Sequence, residues 1–230
     1  MSTIIDEEFG PITIRRSSLA SHVRIRVAPN GTLRASLPMY APLFMIKRLL
    51  KSSRNELRQL LSQQDTGQTF ENGMKIGKSH TLIVQDSVSE LSVTRHGQQI
   101  IVRLPSDMTL DTPDVVSQIK QVMIVALRVE AKNYLPRRLA YLAKQLDCSY
   151  DKVRFSHASG RWGSCSTSGT ISLNIALMKL PHELIDYVLV HELSHTKQMN
   201  HSQDFWQTVA IGDPHYKMHR KVLKMHSPSV

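Results

Sequence analysis

His191, Glu192 and His195 stand in one short run, His191-Glu192-Leu193-Ser194-His195, and a further histidine follows at His201. Two histidines four apart with a glutamate after the first is the HExxH pattern of zinc hydrolases. A catalytic zinc site takes three protein ligands and keeps a fourth position open for water, so His201 supplies what the pair lacks. On an α-helix, residues i and i+4 share one face, which lets both imidazoles point at one ion. Glu192 lies about 100° round from His191, where a carboxylate can reach a water on the metal without displacing it. That is the place of a general base. With 11 histidines in 230 residues, chance gives about 0.02 such matches.

The elements that position these groups follow from the spacing. Pro181 suits the first turn of a helix, where its missing N–H costs nothing. Leu184, Val188, His191 and His195 run down one face and Ile185, Leu189 and Leu193 down another, so the helix is buried on more than one side. His201 lies about 120° off that face if the helix continues, so the chain must leave it after His195 and turn back. Gln198 stands where metzincin peptidases keep a glycine for such a turn. Asn200 is the residue best suited to the left-handed conformation that the turn then needs.

Other residues offer weaker chemistry. Asp204 is an alternative third ligand, or a partner that orients an imidazole. His215 and His219 are again four apart, but lack a glutamate and a third ligand; they read as exposed histidines or as a second metal site. Tyr216 can donate to a tetrahedral intermediate. Asp186 falls on neither ligand row and reads as solvated. In Gly160-Arg161-Trp162-Gly163-Ser164-Cys165-Ser166, the glycines allow close backbone approach to an extended substrate. There Trp162 is one wall of a cleft, or core. Arg161 binds a substrate carboxylate or phosphate, or forms a structural ion pair. Cys165 reads as a buried small apolar residue.

The elements upstream place an α+β fold on the chain. Strands at 22–27 and 32–37 flank Pro29-Asn30-Gly31, a hairpin signal. A helix over 42–64 carries Leu49, Leu50, Leu57, Leu60 and Leu61. Alternating strands follow at 81–85, 90–95 and 99–104. Asp111-Thr112-Pro113 starts a helix that Leu135-Pro136 should kink or restart before 137–145. Strands at 153–156 and 170–174 then precede the histidine helix. The expected division is a β-rich N-terminal part with one helix, 1–108, and a helical metal-binding part, 109–230.

Composition bounds the rest. The 41% apolar and 21% charged content suits a soluble globular protein. No run of about 18 apolar residues predicts a membrane span. The acidic start, with Asp6, Glu7 and Glu8, does not read as a secretion signal. Two cysteines, Cys148 and Cys165, build no disulfide framework, so a reducing cytoplasm is expected. The net charge of +10, with Arg15, Arg16, Arg24, Arg26, Arg34, Arg137 and Arg138 clustered, favours polyanions such as nucleic acid, or acidic substrates. Oligomeric state leaves no mark in the sequence.

Beyond HExxH, several runs carry a resemblance: Arg161-Trp162-Gly163-Ser164-Cys165, Ile171-Ser172-Leu173-Asn174, Asn200-His201 and Phe205-Trp206. With Asn72-Gly73, Ile76-Gly77-Lys78 and Leu135-Pro136-Arg137-Arg138-Leu139, the chain resembles the YgjP-like metallopeptidases, relatives of the SprT and WLM zinc peptidases, over nearly its whole length. The resemblance implies a minimal zincin-like fold, Zn2+ on His191, His195 and His201, Glu192 as catalytic residue, and a protein or peptide substrate. His215, in Asp213-Pro214-His215-Tyr216, departs from the acidic residue expected there. Two other readings use the same residues. One is a phosphate-ester or nucleotide hydrolase with the arginines as an anion trap. The other is a nucleic-acid-associated protease recruited by its basic N-terminal part.

Overall fold

The computed structural model describes residues 2–18, 20–27, 33–58, 69–87, 90–158 and 160–230. They form two compact units, Met1–Thr69 and Phe70–Val230. The division therefore falls near 69, not at 108 as the sequence suggested.

In the first unit, β1 (Ser2–Asp6), β2 (Gly10–Ser17), β3 (Arg24–Val27) and β4 (Leu33–Pro38) form a sheet in the order β1-β2-β4-β3. Strands β3 and β4 pair antiparallel, Val27 opposite Leu33, as the hairpin reading requires. Its turn, Pro29-Asn30-Gly31, lies outside the described residues. Strands β1 and β2 were not anticipated, although Ile12 and Ile14 alternate with polar neighbours. Those two, with Leu33, Ala35 and Leu37, turn one sheet face onto Ile46 and Leu50 of α1 (Phe44–Ser52) and onto Leu57. The expected helix over 42–64 is thus α1 plus a short helical stretch at 54–58; residues 59–68 lie outside the described residues.

The second unit is built on α2 (Pro113–Gln145), 33 residues long. A sheet ordered β5-β6-β8-β7 packs on it, from β5 (Lys75–Ile76), β6 (His80–Ser87), β7 (Ser92–His96) and β8 (Gln99–Pro105). Ile76, Leu82, Ile100 and Val102 share one core with Val115, Ile119, Met123 and Leu127 of α2. This explains the boundary. The sheet has its apolar face on α2, so it cannot belong to a separate N-terminal part.

Pro136 does not end or restart α2, which continues through it to Gln145. A proline inside a helix costs about 3 kcal/mol. Here Ala131, Leu135 and Leu139, all fully buried on either side of it, supply the packing that offsets this.

Glu130, buried on α2, ties that helix to the β5–β6 turn. Its carboxylate accepts from the backbone N–H of Lys78 at 2.6 Å, Ser79 at 2.9 Å and His80 at 3.1 Å. The Ser79 hydroxyl at 2.8 Å and His80 Nδ1 at 2.6 Å complete the set. Gly77 has φ +63°, and a Cβ there would collide with the carboxylate, so glycine is required twice over. Burial alone raises the Glu130 pKa, but these donors outweigh it and hold the group below its ordinary 4.5. A depressed carboxylate gives stability that is present above the unfolded value and lost as pH falls through the folded one. Glu130→Gln is expected to lose about 1–3 kcal/mol at pH 7. Urea melts should show this deficit shrinking below pH 4.5.

The remaining strands form a small sheet ordered β10-β11-β9, from β9 (Lys152–Ser156), β10 (Gly163–Cys165) and β11 (Thr170–Asn174). A 3-10 turn, Ile175–Lys179, leads to α3 (His182–Ser194), then α4 (Gln203–Gly212) and α5 (Tyr216–Leu223). Among the described residues, no helix is long and apolar enough to cross a membrane.

Candidate metal centre

Helix α3 starts directly after Pro181, which stands at its N-cap position rather than inside the first turn, and buries Leu184, Ile185, Val188, Leu189 and Leu193. His191 sits in its last turn and His195 is its C-terminal cap. The chain then reverses to bring back His201. This turn uses no left-handed residue: among the described residues Asp147 is the one non-glycine with positive φ. Instead the helix unwinds in tight steps, Thr196 N–H to the Leu193 carbonyl at 2.9 Å and Lys197 N–H to the Ser194 carbonyl at 3.1 Å. Asn200 acts through its side chain, whose Oδ1 accepts from Ser202 N–H at 3.3 Å. The role expected of its backbone is therefore corrected.

His191, His195 and His201 form the one cluster of this kind among the described residues, with ligand nitrogens all within 4.8 Å of one another. The Nε2 atoms of His191 and His201 face each other at 3.2 Å, close to the ~3.3 Å of two ligands on a tetrahedral zinc. His195 Nδ1 donates to the Gln198 carbonyl at 3.1 Å, which fixes the tautomer with Nε2 free. Phe205 holds the three rings in place. It is fully buried, with ring centroids 5.0, 4.5 and 4.7 Å from those of His191, His195 and His201. Ser202, which caps α4 by accepting from Phe205 N–H, sets that ring's position.

Glu192 is 5% exposed, and its Oε2 has no partner among the described residues. Burial pushes its pKa up to about 8, against the opposing charge of Arg161. Burial also lowers His191 to about 3, helped by His195, His201 and Arg220. It lowers His195 as well, although the Gln198 hydrogen bond opposes it. Three converging imidazoles, two of them kept from protonating by burial, beside a desolvated carboxyl suit a divalent cation: their nitrogens face one point, and the cation would ionise the glutamate. Gly163 on edge strand β10 makes room for that glutamate, since a Cβ there would lie 2.6 Å from Glu192 Oε1. These residues fit a metal. A cavity of about 340 Å³, lined by Tyr150, Ser166 and Met199, opens at His195.

The other candidates separate. Arg161 is exposed yet near enough for its charge to act on Glu192. Trp162 is partly buried against the core. The indole beside the histidines is Trp206, with its centroid 5.9 Å from His191 and 5.7 Å from His201. Tyr216 stacks on Trp206 at 5.3 Å, and the Arg220 guanidinium lies 4.8 Å from the same ring. Neither Trp206 nor Arg220 was singled out as a site residue. Asp204 is outside the cluster. His219 is no free histidine, because its Nδ1 bonds Asp213 at 2.7 Å. Asp186 is not solvated either; Arg138 grips it with two bonds of 2.8 and 2.7 Å.

The loop that carries Arg161 hangs on Asn174, which is fully buried. Its Nδ2 donates to the carbonyls of Ala158, Arg161 and Pro228 at 2.7, 3.0 and 3.1 Å, and its Oδ1 accepts from Ala176 N–H. Asn174→Ala orphans these groups, and about 2–4 kcal/mol of stability should disappear in denaturant melts.

Residues 21–226 match the family model of the YgjP-like metallopeptidase domain. No curated protein matches the chain. Among solved structures it is similar to the crystal structure of the metallopeptidase zymogen of Pyrococcus abyssi abylysin. The identity there is 27%, over 39% of this chain and 92% of that one, with a TM-score of 0.36. Because the family match takes in both the strand that meets Glu192 and all three histidines, the protein belongs to the YgjP-like metallopeptidase domain family.

Proposed function

We propose that the protein is a zinc-dependent peptidase of zincin-like build, with His191, His195 and His201 as ligands and Glu192 as general base. The observation that carries this is the convergence of three imidazole nitrogens beside a buried carboxyl that has an oxygen to spare. When bound, zinc supplies Lewis acidity, lowering the pKa of water at its open position towards ~7 and polarising a carbonyl. Three neutral imidazoles favour zinc over harder cations.

The chain's own residues do the rest. Glu192 takes a proton from the attacking water and passes it to the leaving amine. Its burial keeps competing water away and strengthens each charge interaction there. Strand β10 is an edge strand, so its outer backbone can pair with an extended peptide. Arg161 meets a substrate carboxylate or the developing oxyanion. Tyr216 works with Trp206 as one wall of the cleft, holding a substrate side chain. We place the enzyme in the cytoplasm, where Cys148 and Cys165, both free, stay reduced.

The test is cleavage of a panel of unfolded proteins by zinc-loaded protein, with and without chelator, beside nucleoside triphosphates. Peptide-bond cleavage that chelator abolishes supports the reading. Turnover of triphosphates alone favours phosphate-ester chemistry at the same ion.

A further inference from the structure

Two runs that the metal centre leaves unused, Ile76-Gly77-Lys78 and Leu135-Pro136-Arg137-Arg138-Leu139, meet at one cavity of about 690 Å³. Its lining contains none of the metal-centre residues. It reaches α3 at His182, nine residues before His191, which is about 13 Å along the axis and half a turn round the helix. The cavity thus faces away from the histidine cluster.

One wall is α2. Asn133, Arg137 and Tyr141 form one row of it, with Tyr134 and Arg138 beside them. The facing wall is Lys78 with Arg95 of the β7–β8 hairpin. Of the four cationic side chains, Arg138 alone has a carboxylate partner among the described residues, Asp186. Lys78 Nζ bonds the Leu180 carbonyl and Arg95 Nη1 the Gly97 carbonyl, and neither forms an ion pair among the described residues. Arg137 is exposed and forms no ion pair among the described residues. Glu130 is the one acid in the lining, and five donors already hold it.

Two further observations distinguish this cavity from ordinary basic surface. His80 lines it at 2% exposure, and its Nε2 has no partner among the described residues. A buried polar atom left unpaired is costly, and a ligand is one way to satisfy it. The rings of Tyr134 and Tyr141 stand among the cations, and the Arg138 guanidinium lies 4.9 Å from the Tyr141 centroid. Guanidinium forks suit phosphate, and flat rings suit a base. The volume is that of a small-molecule site and is too small for a duplex.

We infer that this cavity binds a nucleoside phosphate, free or as part of a single strand, at a site separate from the metal centre. The inference goes beyond the peptidase reading and stands without it. Phosphates sit between Arg95, Arg137 and Lys78, and the base lies on Tyr141.

The test is calorimetric titration of the full chain, in chelator so that the metal centre takes no part. The probes are adenosine and guanosine mono-, di- and triphosphates, a ten-nucleotide single strand, and pyrophosphate. Saturable nucleotide or strand binding is expected, weakened at least about tenfold in Arg95→Gln/Arg137→Gln. Tyr141→Ala should weaken nucleotides about fivefold or more and leave pyrophosphate unchanged. A stronger free nucleotide or a stronger strand identifies the source. The peptidase rate of the double variant should equal the parent's. If the double variant melts early, Arg137→Gln and Tyr141→Ala decide singly. No binding at millimolar probe, binding indifferent to these variants, or pyrophosphate as tight as nucleotides overturns the proposal.

Discussion

Glu192→Gln is expected to keep the metal and lose hydrolysis, with kcat down by about 10²–10⁴-fold, the share that general acid–base catalysis supplies. The substitution keeps the shape for which Gly163, by lacking a Cβ, leaves room, so the fold around it should survive. It removes the group that accepts the proton, and an amide cannot replace it. Glu192 is not a member of the ligand cluster, which is why occupancy should not change. Single-turnover cleavage together with metal analysis of the same sample checks both halves. A metal-loaded variant with full activity would remove Glu192 from its assigned role.

His201→Ala is expected to do the reverse. It leaves two ligands on the helix and takes away the nitrogen that faces His191 at 3.2 Å. Losing an outer partner of a ligand already costs about 10–100-fold in affinity, so losing the ligand should cost ~100-fold or more. His201 is the most exposed of the three and stands on a turn rather than in the helix. Its removal should therefore disturb the fold least. Competition with a zinc indicator, beside a melt of the metal-free protein, separates lost affinity from lost structure.

The grouping of His191 with His195 was legible in the sequence because the i,i+4 spacing on a helix with apolar neighbours leaves few alternatives. The return of His201 was legible as a need, but its means were not. Asn200 could satisfy the turn by φ or by its side chain, and local spacing does not distinguish the two. Asp186 shows the same limit, since Arg138, which binds it, lies 48 positions away. The aromatic neighbour of the histidines, Trp206, went unread for a related reason. Trp162 sits in a glycine-rich run that looks like a cleft, whereas Trp206 reaches the histidines through the packing of α4, which periodicity does not reveal. The boundary at 108 followed the change from strands to helix, and local periodicity is blind to a sheet that lays its apolar face on a helix later in the chain.

The most direct test of the central claim is X-ray absorption at the zinc edge of the metal-loaded Glu192→Gln protein. Three imidazole nitrogens at about 2.0–2.1 Å, plus one light oxygen or nitrogen scatterer, are predicted. A shell with two imidazoles, or one in which His201→Ala leaves the imidazole count unchanged, would contradict it.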